Sequence, residues 1–449
     1  MTNTTLLRNG FLGLLTALLL SCGGGGGSVA AFGSAAPTGS ANSAGSTGLL
    51  ADSSGGGSPA GVASEGQGSS GSGAPSSATT AANGNDGSGV GSGGTGVSTA
   101  DAAGIGSVDG AGSIIVSGLR YNTDTAVVKI EDASALQLGM SVKVTGPVDA
   151  EFTSGIARQV DSAADIRGSL SSVDLAQGSF VILGTTVTTD PATVWADSSG
   201  LAAIPPGATL QVWGLPAAPG VLRATRVEQR GPSAPILTGT VQNLDATRRT
   251  FTIGGAVVDY SAAVLTGSLD GRPLADGTIV RVRANAALPG PLRATLVQWW
   301  YPVPTANATP VQLAGIVTNF AGLASLQVLG TPVDASSAQV TGGPAGSVGN
   351  GVKVEVAGTI SNGILKATKL KIRHVPGTGG PASFTLIGNI SNFASASSFR
   401  VRGQPVNAGG PGVVFVNGTA ANLRNGVRVN IVGEQVVDGV LTAARVSFE

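Results

Sequence analysis

Beyond residue 110 the apolar side chains fall on every second position, in short runs rich in Val, Ile, Leu and Phe that are broken by Gly, Pro and Asp. A period of two sets one face of each run on a core and the other in solvent, so the runs predict half-buried antiparallel strands. Helix-period stretches with caps are absent. One signature, G-x-x-V-x-V-x-G, recurs at Gly139-Val142-Val144-Gly146, Gly207-Leu210-Val212-Gly214, Gly277-Val280-Val282-Ala284, Gly351-Val354-Val356-Gly358 and Gly426-Val429-Ile431-Gly433, at spacings of 68, 70, 74 and 75 residues. L-x-A-x-x-V follows each copy, as in Leu222-Ala224-Val227 and Leu292-Ala294-Val297, and F-x-V-x-G-x-x-V precedes it, as in Phe180-Ile182-Gly184-Val187 and Phe399-Val401-Gly403-Val406. Earlier still comes L-x-G-x-V, at Ile166-Gly168-Leu170, Leu237-Gly239-Val241, Leu313-Gly315-Val317 and Leu386-Gly388-Ile390. Matched elements in constant order identify five copies of one structural unit.

Short strands with glycines near their ends, where bends and bulges are needed, suggest an all-β chain of tandem small OB-like β-barrels. An open sheet or sandwich shared between neighbours is the alternative. The repeats divide as 111–165, 166–233, 234–304, 311–376 and 383–449. The first is expected to be truncated, because it opens at Ile114-Val116-Gly118-Tyr121 with no L-x-G-x-V strand before it. Stretches rich in Pro and Gly at 231–235, 302–310 and 376–382 read as linkers between separate beads. Ala284 replaces the closing Gly of the third repeat, which questions only the local turn.

Ahead of the repeats the composition changes to Gly, Ala, Ser and Thr, with Phe32 the only aromatic between residues 23 and 110. Such a chain cannot bury enough apolar surface to offset its entropy, so residues 22–110 are expected to form a disordered tether spanning on the order of 50 Å. Within it, Gly91, Gly93 and Gly96 satisfy G-x-G-x-x-G by chance, with neither a strand before nor a helix after. Residues 1–21 have the form of an export signal. Arg8 supplies the positive region and Phe11 to Leu20 an apolar run of about ten residues, too short to span a bilayer. Leu19-Leu20-Ser21-Cys22 ends it and resembles the lipobox of bacterial lipoproteins. That resemblance implies acylation at Cys22, cleavage before it and, with Gly23 following, an outer-membrane address. Several acyl chains on one residue make a stable anchor.

The chain has one Cys, one His and a formal net charge of zero. Sites that need two or more His or Cys ligands cannot be built from it, so no metal or other cofactor is expected, and any Ser-His-Asp triad would depend on His374. Net neutrality gives no global attraction to nucleic acid or anionic lipid. Charge is uneven, however: residues 312–449 hold 10 basic and 5 acidic side chains, against 14 and 15 in residues 111–311. Lys369, Lys371 and Arg373 alternate along one predicted strand, and Arg400 and Arg402 along another, which makes them candidates for polyanion contact as well as for a solvated strand face. Stacking aromatics beside them are few, so nucleic acid is not the expected partner. Trp299, Trp300 and Tyr301 form a second constellation. Adjacent strand residues face opposite sides, so Trp299 and Trp300 cannot both be core; glycan stacking, partner contact and inter-repeat packing are the readings. No carboxylate pair stands at a spacing that marks a general acid and base.

Ser21-Cys22 with five following glycines, the Ile114–Tyr121 opening, the Leu138–Gly146 strand and the later repeats together resemble bacterial lipoproteins that carry repeats of the family called domain of unknown function 5666. The resemblance implies a fold and offers no catalytic residues. The expectation is a lipid-anchored, non-enzymatic envelope protein that displays tandem β-domains to a protein or glycan partner. Polyanion binding through the C-terminal basic faces is an alternative reading, and a carboxylate-based glycan hydrolase is another.

Overall fold

The computed structural model describes residues 101–266, 273–285, 290–374 and 384–449. Cys22, the signal segment and the tether up to residue 100 lie outside the described residues. Within them the chain is all-β with repeated units, interrupted by one-turn helices at Leu201–Ala203, Ala345–Ser347 and Ala420–Asn422.

The second repeat shows the plan. Its opening strand, Ile166–Asp174, runs antiparallel to Ser179–Ile182, which turns back through Leu183 and Gly184 into Thr185–Thr188. Thr185–Thr188 lies parallel to Val221–Arg230, the second arm of a long hairpin. The first arm, Thr209–Ala218, pairs with both its partner arm and the opening strand, so the ladder returns to where it began. Alternation along these strands buries Phe180, Ile182, Val187, Leu210, Val212, Leu222 and Val227 completely or nearly so. The same circuit recurs from the opening strands Ile236–Thr240, Pro310–Gly322 and Phe384–Ser395.

Two recurring glycines are steric necessities. A Cβ on Gly239 would stand 2.4 Å from Ile253 Cγ2 across the unit, and one on Gly358 would stand 2.0 Å from the Lys366 carbonyl oxygen, at a bulge where the register of the long hairpin shifts. Ala284 occupies the position of Gly358 in the third repeat. It is buried at a similar register shift and still pairs with Ala294, so the departure from Gly leaves this ladder in place.

The expectation of separate OB-like barrels on linkers is corrected: the repeats stack as a β-solenoid whose units share edges. Strands of the first, fourth and fifth repeats form one hydrogen-bonded network of 19 strands, and those of the second and third another of 13. The cause lies in the opening strands, which overhang their own circuits. Residues 170–174 of the second pair with its own hairpin, whereas Ile166 and Arg167 offer that edge to Leu237 and Ile236 of the third. An unpaired strand edge is unstable, and here the next repeat covers it. The cores are shared as well. One apolar cluster runs through the first and fifth repeats, a second through the second and third, and a third fills the fourth repeat while drawing in Ile105, Leu215, Trp300 and Tyr301.

The first repeat is not truncated, and the tether does not extend to residue 110. Ala102–Ala111 is its opening strand, paired antiparallel with Ser141–Gly146 and parallel with both Pro310–Gly322 and Phe384–Ser395. Its Gly and Ala content reflects crowding. A Cβ on Gly104 would meet Tyr121 Oη at 2.3 Å, one on Gly106 would meet Ser117 Oγ at 2.3 Å, and one on Gly110 would meet the Thr385 carbonyl oxygen at 2.4 Å.

Candidate functional site

Trp299, Trp300 and Tyr301 follow one another at the end of the strand Leu292–Trp299, yet they have different roles. Trp300 and Tyr301 are buried and close a polar knot between the first three repeats. At its centre is Asp165, fully buried just before the second opening strand. Its Oδ2 accepts hydrogen bonds from Ser141 Oγ at 2.6 Å and from the Gly214 amide at 2.8 Å. Its Oδ1 faces Arg281 Nη2 at 3.3 Å and accepts the indole N–H of Trp300. Tyr301 Oη accepts from the Ala163 amide and donates to the Ser141 carbonyl, both at 3.2 Å, while the Arg281 guanidinium lies 5.3 Å from the Tyr301 ring centre. Burial pushes the Asp165 carboxyl above its ordinary value, and Arg281 with the hydrogen-bond donors pulls it back. A second clasp stands on the same seam. Asp132 accepts Arg167 Nη2 and Arg283 Nη2, each at 2.7 Å; burial alone would raise its carboxyl, and the two guanidinium groups hold it below the usual range.

Trp299 is only half-buried and lines a cleft of about 520 Å³ between the third and fourth repeats. Pro302 and Pro304 of the connecting segment, Ile279 and Asp276 of the third repeat, and Thr331 and Pro332 of the fourth contribute to its walls. A smaller cleft of about 160 Å³, lined by Leu265, Leu274 and Val297, shares Trp299 and Pro273 with the first. The connecting segment expected to be a free linker is therefore part of a wall. Lys143 Nζ donates to the Pro302 carbonyl at 3.0 Å and ties it to the first repeat.

The five candidate basic side chains differ in exposure: Lys371, Arg400 and Arg402 are exposed, and Lys369 and Arg373 are half-buried. Lys369 donates to the Glu151 carbonyl and lies 3.3 Å from Glu151 Oε2, bridging the fourth repeat to the first. Arg373 is half-buried and paired through Nε with Glu355. Only Lys371 of this trio is exposed, because the three charges share a strand face that the first repeat partly covers. Arg400 is exposed on Ser398–Val401 and donates to the Gly403 carbonyl at 2.6 Å. Arg402 lies beyond that strand, in the left-handed turn that follows it (φ 52°). Its stem lies over Gly388 much as Leu183 lies over Gly168 and Leu329 over Gly315, but those leucines are buried whereas Arg402 is exposed, its Nε donating to the Ile387 carbonyl at 3.2 Å. The backbone of His374 ends the strand Ile364–His374; its side chain lies outside the described residues.

Sequence reasoning missed one carboxylate pair that tertiary contact creates. Asp109 of the first opening strand and Glu355 of the fourth repeat face Arg373 together. Burial pushes both carboxyls up, Glu355 to about 7, with the neighbouring Asp109 charge adding to the rise and Arg373 opposing it. Their sequence separation hid the pair, since no local spacing records it. Neither residue lines the two clefts. Among the described residues no group of three or more His, Cys, Asp or Glu is placed to hold a metal ion, and no helix is long and apolar enough to cross a membrane.

No curated protein and no solved structure matches the chain. The model of one family does, four times over, at residues 167–228, 238–298, 314–371 and 387–447. Those segments coincide with the second to fifth structural units and leave the first, with its unusual opening strand, unmatched. They cover more than half of the sequence, and the chain belongs to the family described as Domain of unknown function (DUF5666).

Proposed function

We propose that the protein is a non-enzymatic binding module of the bacterial envelope, held to the outer membrane by acyl chains on Cys22 and presenting its five repeats as one preassembled body. The observation that supports the binding role is the cleft beside Trp299. It has the volume of a small-ligand site, its walls come from two repeats whose apolar packing meets at Ile279, Trp300 and Tyr301, and the paired carboxylates Asp109 and Glu355 lie elsewhere. A cleft already formed between packed repeats favours recognition, because little conformational freedom is lost when a ligand enters.

The anchor and the binding role are tested together. Full-length protein should incorporate labelled palmitate and fractionate with the outer membrane, and Cys22→Ala should abolish the label and release the chain from that fraction. Immobilised full-length protein should retain envelope material that Trp299→Ala fails to retain. Wild-type labelling of Cys22→Ala, or equal retention by both proteins, would overturn the corresponding half of the reading.

A further inference from the structure

The cleft beside Trp299 has a composition that selects among ligands. Asp276 is the only charged residue among its described lining residues, so the site carries a negative charge and no cation. Phosphates, sulfates and uronic acids would meet an uncompensated carboxylate there. The Leu244 amide donates to Asp276 Oδ1 at 2.9 Å and so fixes this acceptor in place. The indole of Trp299, with Pro302, Pro304 and Pro332, supplies flat apolar surface, and prolines bring no amide donors. Thr278 and Thr331 add hydroxyls.

We infer that the cleft binds a neutral saccharide, an inference that rests on the binding-module reading and names its ligand class. A pyranose ring has an apolar C–H face that can lie against an indole, and hydroxyls around its edge that donate to a fixed carboxylate. Residues that supply both complementary features, Trp299 and Asp276, line the same cleft. A proline-rich peptide would also find the apolar surface, but it presents carbonyl acceptors and few donors. Two of the strongest donors nearby are already engaged: the Trp300 indole N–H on Asp165, and the Tyr301 hydroxyl on the Ser141 carbonyl. An acceptor-rich peptide backbone is therefore the poorer match for Asp276.

The test is calorimetric titration of the full chain with cellotetraose, maltotetraose and chitotetraose as neutral probes, a tetragalacturonate as the anionic probe, and a proline-rich decapeptide. At least one neutral tetrasaccharide should bind at one site per chain, and the tetragalacturonate and peptide should bind more weakly. Trp299→Ala should weaken the neutral ligand about tenfold or more, as loss of an aromatic contact and its buried area requires. Trp299→Phe should lose less, and Asp276→Asn should weaken the neutral ligand without disturbing the fold. Thermal unfolding of each variant separates lost binding from lost structure, and Trp299→Phe keeps the question open should Trp299→Ala not fold. Failure of all three neutral probes at millimolar concentration, preference for the peptide or the anion, or a Kd unchanged in both folded Trp299 variants would overturn the assignment. The palmitate and fractionation results above are independent of these titrations, so the saccharide can fail while the envelope module stands.

Discussion

Tyr121 fills the space that Gly104 leaves empty. In the other four repeats the position of Gly104 is held by Ile166, Leu237, Leu313 or Leu386, and that of Tyr121 by Val187, Val258, Val333 or Val406, all of them buried. The first repeat has exchanged a large residue on the opening strand for one on the inner hairpin, with Tyr121 1 % exposed. The register supports the correspondence, since Gly104 pairs with Val144 as Ile166 pairs with Val212.

This exchange predicts a compensated pair. Gly104→Leu alone should destabilise the protein by about 3 kcal/mol or more, the scale of an overpacked core, and Tyr121→Val alone by about 2 to 4 kcal/mol through the cavity it opens. The double variant should recover much of the loss, because it restores the combination used by the other repeats. Urea denaturation of the three variants measures the coupling, and additive losses would contradict the packing described.

The Asp165 knot predicts a large effect from a small change. Asp165→Asn keeps the shape but removes the charge that faces Arg281, leaving a buried guanidinium without its partner. Breaking a buried pair from one side costs about 3 to 5 kcal/mol. Thermal unfolding should show the loss, and Arg281→Met combined with Asp165→Asn should be less damaging than the sum of the single changes.

The joint between the first and fourth repeats should be pH-sensitive in a defined direction. Burial pushes the Glu355 carboxyl up to about 7 in the folded protein, above its ordinary value of about 4.5. The folded state therefore holds this proton more tightly than the unfolded chain does. Its contribution to stability is complete below about pH 4.5 and is lost as pH rises through 7. Asp109 shifts the same way, and Arg373 offsets part of both shifts, joined by Lys353 at Asp109 and by Lys371 at Glu355. Unfolding measured from pH 5 to pH 8 should show wild type losing stability relative to Glu355→Gln as pH rises. A constant difference across that range would show that Glu355 does not titrate there.

The basic strand separates into dispensable and structural charges. Lys371→Ser should change stability by no more than about 0.5 kcal/mol, as expected of an exposed side chain. Arg373→Ser should cost more, since it removes the cation that faces both Glu355 and Asp109. Equal tolerance of the two substitutions by thermal unfolding would contradict the pairing described.

The period of two, the recurring glycines and the five-fold repeat made the strands and their order legible in the sequence. Gly239 and Gly358 are required by contacts inside one unit, so each repeat carries its own record of them. The joining of units left no such record. Asp165 meets Trp300 across 135 residues and Glu355 meets Asp109 across a still longer separation, and neither encounter has a local spacing to betray it. Composition misled in one place. Ala102–Ala111 reads like the end of a flexible tether, because small residues serve a crowded strand and a loose chain equally well. Of the aromatic constellation, the sequence showed that Trp299 and Trp300 must face different surroundings; the buried acceptor that takes Trp300, and so leaves Trp299 to the cleft, emerges only in three dimensions.

The parallel pairing of Ala102–Ala111 with Pro310–Gly322 and Phe384–Ser395 also sets an order of assembly. This strand is the first of the body to be synthesised, and two of its partners are among the last. The hairpins of each repeat can form from neighbouring residues, but the outer edge of this strand stays bare until more than 200 further residues have been made. Contacts so distant along the chain are slow to form, and an unpaired edge in the meantime invites the wrong partner. The same strand that unites the finished molecule is therefore the point at which a nascent or truncated chain is most open to intermolecular pairing.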